Sequence, residues 1–129
     1  MTYIYPKADD LDGTEKVGSR HCVALLQVYA KLPPTAHWKE GKVVVDAAFI
    51  PKGTAIATFV KGRYPNHPSG NHAAFFLSAV PGGIWIIDQW ADDQSKPKVS
   101  KRFIRSRGKL RSGAYVDPSN NADAYSIIE

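Results

Sequence analysis

The chain has 129 residues, 43% of them hydrophobic, with 9 prolines, 10 glycines and no low-complexity tract; this balance fits one domain over 1–129 and excludes a fibrous or disordered chain. A chain of this length buries about two-thirds of its unfolded surface, so its core needs neither disulfide nor structural metal. Its single cysteine, Cys22, cannot form an internal disulfide in any case. No run of about 18 apolar residues exists to cross a membrane, and the net charge of +5 points to an anionic partner.

Residues 1–10 carry neither a basic start with an apolar stretch nor a small-residue cleavage site, so no Sec-type signal is expected. The first predicted element follows the Gly18-Ser19 loop. Val23, Leu26 and Ala30, with Cys22, Leu25 and Tyr29 alongside, have helical spacing and predict a helix over 22–31. Ser19 is its expected N-cap, Pro33-Pro34 its stop, and Val23, Leu26 and Ala30 its buried stripe.

Beyond a loop at 38–41, β-type runs predict strands near 43–45, 54–60, 71–80, 84–88, 99–104 and 124–128. Pro51-Lys52-Gly53 reads as a turn, Pro81-Gly82-Gly83 as the turn of a hairpin, and residues 65–70 as a loop. A helix followed by mostly antiparallel strands predicts an α+β fold with the helix packed on one face of the sheet.

A thiol in a helix's first turn sits among unpaired N–H groups at the positive end of the helix dipole, which favours thiolate. The plain alternative for Cys22 is a small apolar residue heading a core helix. A nucleophile there needs a base, and His72 is the best-placed candidate, at the mouth of the apolar strand that follows Gly70-Asn71. His21 is adjacent in sequence, but helix neighbours point about 100° apart; His37 and His67 lie in loops with nothing to orient them. Asp88 ends the strand that the Pro-Gly-Gly turn pairs with the His72 strand, so its carboxylate is a candidate to orient the imidazole. Gln89 is equally able to do so, and Asp88 also reads as an ordinary turn cap.

The runs "HCVALLQ", "GTAIATF", "GNHAAFFL" and "IIDQW" resemble the NlpC-like branch of the papain-like superfamily, the small cell-wall amidases and endopeptidases. Within it the chain is most similar to the amidase effectors that bacteria inject into rivals by type VI secretion. The resemblance extends from about Gly18 to the last strand and implies Cys22 as nucleophile, His72 as base and Asp88 as third polar residue, with no cofactor and no metal. The His72 to Asp88 separation is longer than is typical of the branch, which keeps Gln89 open as the orienter. The implied substrate is the peptide stem of peptidoglycan, with the diaminopimelate–D-alanine cross-link as the favoured bond. The implied setting is injection into a target cell's periplasm, with an immunity protein as partner and no membrane insertion.

Arg63, Tyr64 and Asn71 precede the base and are expected to line the groove with Gln89 and Trp90, Arg63 pairing with a stem carboxylate. Trp85 or Trp90 is a candidate wall of the groove, although core packing is the favoured reading for both. The Cys22 N–H is the expected oxyanion donor, with a second from the segment 19–21. Lys96, Lys98, Lys101, Arg102, Arg105, Arg107, Lys109 and Arg111 form a basic stripe suited to an anionic envelope. That stripe also supports a rival reading, a nucleic-acid-binding module without catalysis. A papain-like acyltransferase is a further alternative, while the absence of CxxC and HxxxH argues against a metalloprotein.

Overall fold

The computed structural model describes residues 2–65 and 67–129, so Asn66 of the expected loop lies outside the described residues. Within them α1 (Cys22–Ala30) precedes six strands: β1 (Glu40–Val43), β2 (Ala55–Thr58), β3 (Ala73–Val80), β4 (Gly83–Asp88), β5 (Ser100–Arg105) and β6 (Tyr125–Ile128). The strands form one sheet in the order β1-β6-β2-β3-β4-β5, and every neighbouring pair is antiparallel.

Alternation along the strands divides the core in two. Ala73, Phe75 and Leu77 of β3 and Ile87 of β4 face α1 and pack with its Leu25 and Leu26. Ala74, Phe76, Ile84 and Ile86 face the other way, onto Val44, Ile104, Ala122 and Tyr125. The face opposite the helix is thus closed by short 3-10 turns at Val44–Asp46, Pro118–Asn120 and Ala122–Ala124. The β3–β4 turn is the expected hairpin: Pro81 sets one φ near −65° and Gly82, at φ 87°, takes the left-handed position that a side chain would resist.

Three expectations change. The first strand is shifted, because Val44–Asp46 coils into a 3-10 turn and β1 runs over Glu40–Val43 instead. The residue capping α1 is His21, in extended conformation, and no side chain caps the helix; Ser19 Oγ instead accepts from the His21 N–H at 3.4 Å. The buried stripe is Leu25 and Leu26, both fully buried, flanked by Ala24, with Val23 and Ala30 only partly covered. Burying each leucine contributes about 1.5–3 kcal/mol. The difference matters for the site, because Cys22, Leu25, Leu26 and Tyr29 follow i, i+3, i+4, i+7 and turn the thiol toward the sheet.

His72 immediately precedes β3 and Asp88 closes β4. Antiparallel pairing brings both to the same end of the sheet. Phe75 opposes Ile87 and Phe76 opposes Ile86, a register that puts Ala74 opposite Asp88 and His72 opposite Trp90. The start of α1 packs at this end.

Candidate active site

Cys22 begins α1, and the segment before it is held under strain. Gly18 has φ 60°, where a side chain is strained, and a Cβ on it would crowd the Ala24 Cβ at 3.0 Å. Arg20 has φ 72°, an unfavourable conformation for a side-chain-bearing residue. Gln89 fixes this backbone: its Oε1 accepts from the Val17 N–H at 3.0 Å, and its Nε2 donates to Val17 O at 3.1 Å and His21 O at 2.8 Å. The start of α1 is therefore tied to the residue next to Asp88.

His72 is fully buried and held by three residues, Thr58, Trp90 and Asp88. Its N–H donates to Thr58 Oγ1 at 3.0 Å and its carbonyl accepts from the Thr58 N–H at 3.0 Å. Its ring lies flat on Trp90, with centroids 4.0 Å apart and planes 7° from parallel. Its Nε2 meets Asp88 Oδ2 at 2.7 Å. This leaves Nδ1, buried and without a hydrogen bond of ordinary geometry among the described residues, for the Cys22 thiol, the ring's other electrostatic partner.

Burial pushes the Cys22 thiol up, but its close polar contact with His72, helped by the Ala73 N–H and Tyr64, brings it below the ordinary thiol range. Burial pushes His72 down, and Asp88 and Cys22 more than offset this, so the imidazolium is favoured beyond the ordinary histidine range. The pair is disposed toward thiolate and imidazolium.

Asp88 is fully buried, and its carboxylate is fully engaged. Besides His72, Oδ2 accepts from Arg102 Nε at 2.8 Å and Oδ1 from Lys96 Nζ at 2.8 Å. Burial pushes the carboxyl up, but His72, Arg102 and Lys96 together hold it far below the usual carboxylate range. Arg102 continues to Asn120 Oδ1 at 2.7 Å and lies over Trp90, 5.6 Å from the ring centroid. His72 and Arg102 thus share both the Asp88 carboxylate and the Trp90 ring.

Lys96 and Arg102 are the site residues that sequence reasoning missed, having placed both in the basic stripe. The signal was the alternation of β5, in which Arg102 shares a face with buried Ile104 and stands opposite Ile86; an arginine at an inward strand position needs a carboxylate. The stripe itself is thinner than expected. Lys98 pairs with Glu15 at 2.6 Å and Arg107 with Asp117 at 2.9 Å, Lys101 lies over Trp85, and Lys109 lies over Tyr115.

A groove of about 1000 Å³ runs past the thiol, lined by Cys22, Tyr64, Asn71, Trp90, Asp92 and the loop 67–70 among others. Tyr64 and Asn71 meet there, Asn71 Nδ2 donating to the Tyr64 hydroxyl at 3.1 Å, and that hydroxyl lies 3.7 Å from Cys22 Sγ. Three of the expected groove residues, Tyr64, Asn71 and Trp90, thus gather around the thiol. Gln89 does not: it is fully buried and its amide is spent on Val17 and His21, so it is neither a groove contact nor the partner of His72, a place Asp88 takes. Arg63 does not line the groove either, since it sits exposed in a tight turn bridged to Val60. Trp85 packs against the helix-side core and Phe103. His21 lines the groove without a contact to the thiol, and His37 is exposed in a 3-10 turn. Among the described residues no cluster of three or more His, Cys, Asp or Glu is arranged to hold a metal, and no helix is long and apolar enough to cross a membrane.

A helix-start thiol, a buried imidazole and a buried carboxylate thus lie together at one end of the antiparallel sheet of an α+β fold. The chain belongs to the domesticated amidase effector 2 family, whose profile matches residues 5–128. It is 54% identical, over 133 aligned positions spanning 100% of both chains, to a type VI secretion amidase effector 2 protein of Salmonella typhi. A domesticated amidase effector 2 of Ixodes scapularis is 37% identical over 117 positions, 88% of this chain and 73% of the relative. A solved structure of a type 6 secretion amidase effector 2 superposes with a TM-score of 0.91 at 51% identity, covering 98% of this chain and 94% of the other. The likeness to type VI amidase effectors therefore holds along the chain, as does the expected α+β fold.

Proposed function

We propose that this chain is an antibacterial type VI amidase effector that hydrolyses peptide-stem amides of bacterial peptidoglycan, at the diaminopimelate–D-alanine cross-link, with Cys22, His72 and Asp88 as its catalytic residues. The observation that carries the reading is Cys22 on the floor of an open groove, against a buried His72 whose far nitrogen bonds Asp88 at 2.7 Å. Family membership supports the amidase activity and the type VI route.

The Cys22 thiolate attacks the amide carbonyl; the S–C bond forms and the π pair moves onto oxygen, where the Cys22 N–H at the start of α1 is a donor. The imidazolium of His72 gives its proton to the amide nitrogen, the C–N bond breaks and a thioester remains. His72, now neutral, takes a proton from water as the water attacks the thioester; the acid leaves and thiolate is restored. Asp88 keeps the ring oriented through both proton transfers, and the Trp90 plane limits its rotation. The exposed cations of the stripe, Arg105 and Arg111 among them, supply a salt-sensitive attraction to an anionic envelope. In the producing cell an immunity protein that covers the groove is the expected partner, and the periplasm of the target cell is the site of action.

Purified protein incubated with Gram-negative sacculi should release uncross-linked muropeptides, with mass spectrometry placing the cut between diaminopimelate and D-alanine. Cys22→Ala and His72→Ala should abolish release. Full turnover by Cys22→Ala would remove the thiol mechanism, and a cut elsewhere in the stem would reassign the bond.

A further inference from the structure

The reacting centre needs a second donor for the oxyanion, and the backbone before α1 has none to spare at the two residues nearest Cys22. The Arg20 N–H is spent on Val17 O at 2.9 Å and the His21 N–H on Ser19 Oγ at 3.4 Å. Gln89 has both its amide hydrogens on Val17 O and His21 O. The expectation that the segment 19–21 supplies the donor therefore fails at Arg20 and His21.

Tyr64 is differently placed. Its ring is buried against Trp38, centroids 5.0 Å apart, and its hydroxyl sits 3.7 Å from Cys22 Sγ. The same oxygen accepts from Asn71 Nδ2 at 3.1 Å. A phenol oxygen that accepts from an amide keeps its own hydrogen for another acceptor, and the sulfur is within reach. Asn71 Oδ1 is buried with no partner among the described residues, so this side chain holds its bond to Tyr64 with its other polar atom unsatisfied. Burial, and then the Cys22 charge, pushes the Tyr64 hydroxyl well above the ordinary phenol range, which keeps it protonated as a donor.

We propose that the Tyr64 hydroxyl, aimed by Asn71, is the second hydrogen-bond donor at the reacting centre: it donates to the Cys22 thiolate before attack and to the substrate oxygen once the electron pair has moved there. A hydroxyl 3.7 Å from Sγ leaves room for an oxygen about 3 Å away, the distance that an oxyanion donor needs. The phenol proton stays on Tyr64 throughout, while His72 performs both proton transfers. Tyr64 is then a catalytic residue and Asn71 a positioning residue. The proposal rests on the thiol amidase reading.

The test uses steady-state kinetics on a soluble cross-linked muropeptide together with the pH dependence of Cys22 alkylation by iodoacetamide, which needs no substrate. The groups facing the thiol are the His72 ring, the Ala73 N–H and Tyr64, with Asp88 behind the ring. Tyr64→Phe keeps the ring against Trp38 and removes only the hydroxyl. It should lower kcat on the order of 100-fold with KM within about twofold, and move the alkylation midpoint to higher pH. Asn71→Asp presents a carboxylate that takes the Tyr64 hydrogen away from sulfur. It should lose as much as Tyr64→Phe, with the double variant no worse than either, whereas Asn71→Leu should lose less.

Unchanged kcat with raised KM in Tyr64→Phe would overturn the proposal in favour of a substrate contact, as would an unmoved alkylation midpoint. Wild-type kcat in Asn71→Asp would overturn the aiming role. If the wild-type protein cut no muropeptide while Tyr64→Phe still shifted alkylation, the amidase reading would fall and the Tyr64–thiolate bond would stand.

Discussion

The two nitrogens of the His72 ring live in opposite chemistry. On the Nε2 side Asp88 is buried, ionised and held by His72, Lys96 and Arg102, with both of its oxygens engaged. On the Nδ1 side are a thiol, a phenol and an amide, and two buried polar atoms there, His72 Nδ1 and Asn71 Oδ1, have no hydrogen-bond partner among the described residues. A buried carboxylate is tolerable only when its pairing offsets its desolvation. The charged side is therefore over-determined and rigid. The thiol side keeps unsatisfied capacity, and it is the side that adjoins the groove.

The comparison breaks most severely at Asp88. Asp88→Ala leaves Lys96, Arg102 and the imidazolium without their counter-charge, and urea unfolding should show a loss of about 3–5 kcal/mol. Asp88→Asn keeps the shape but loses the charge; its kcat should fall on the order of 10²–10⁴-fold. Because Asp88 raises the His72 pKa, the alkaline limb of the Asp88→Asn pH–rate profile should move to lower pH. Stability should follow the same logic. The Asp88 charge is favoured by folding, so its contribution is present above the ordinary carboxylate range and lost as pH falls below it. The His72 contribution has the opposite sign, present below the ordinary histidine range and lost as pH rises through the higher folded value. Both slopes should shrink in Asp88→Asn, as chemical denaturation at a series of pH values would reveal.

Gln89→Leu tests how the thiol side is supported. It removes three hydrogen bonds to the strained segment 17–21 and leaves the half-buried Val17 N–H without its partner, at a cost of about 1–3 kcal/mol. The displaced Cys22 should also alkylate with an altered pH dependence. Arg102→Lys keeps the charge but loses the planar fork shared by Asp88, Asn120 and the Trp90 face, so a smaller loss of about 1 kcal/mol is expected by thermal unfolding, with kcat reduced severalfold. Lys98→Ala marks the lower bound: its exposed pair with Glu15 is screened by solvent, and neither melting temperature nor turnover should change measurably.

Much of this was legible from local pattern. Helical spacing after Cys22, the Pro-Gly-Gly hairpin, and apolar runs that begin at His72 and end at Asp88 report on neighbouring residues, and local geometry alone carries those signals. The errors have a common origin. Gln89 looked like a groove residue because it adjoins Asp88, yet strand alternation turns it toward the backbone of residues 17–21. Arg102 and Lys96 looked like surface cations because their partner lies 14 and 8 residues away, across a strand pair and a loop. Ser19 looked like a cap because capping was judged by residue type, whereas the left-handed Arg20 hands that position to His21.

The sequence by itself determined most of the element types, the hairpin that pairs β3 with β4, and Cys22 and His72 as the candidate thiol and imidazole, because periodicity, turn chemistry and helix-start position are properties of short stretches. Only the tertiary structure decided which cations neutralise Asp88, which side chain holds the backbone before Cys22, and which hydroxyl reaches the sulfur. Those are contacts between residues far apart in the chain, and burial, charge pairing and hydrogen-bond direction select them only once the sheet has brought them together.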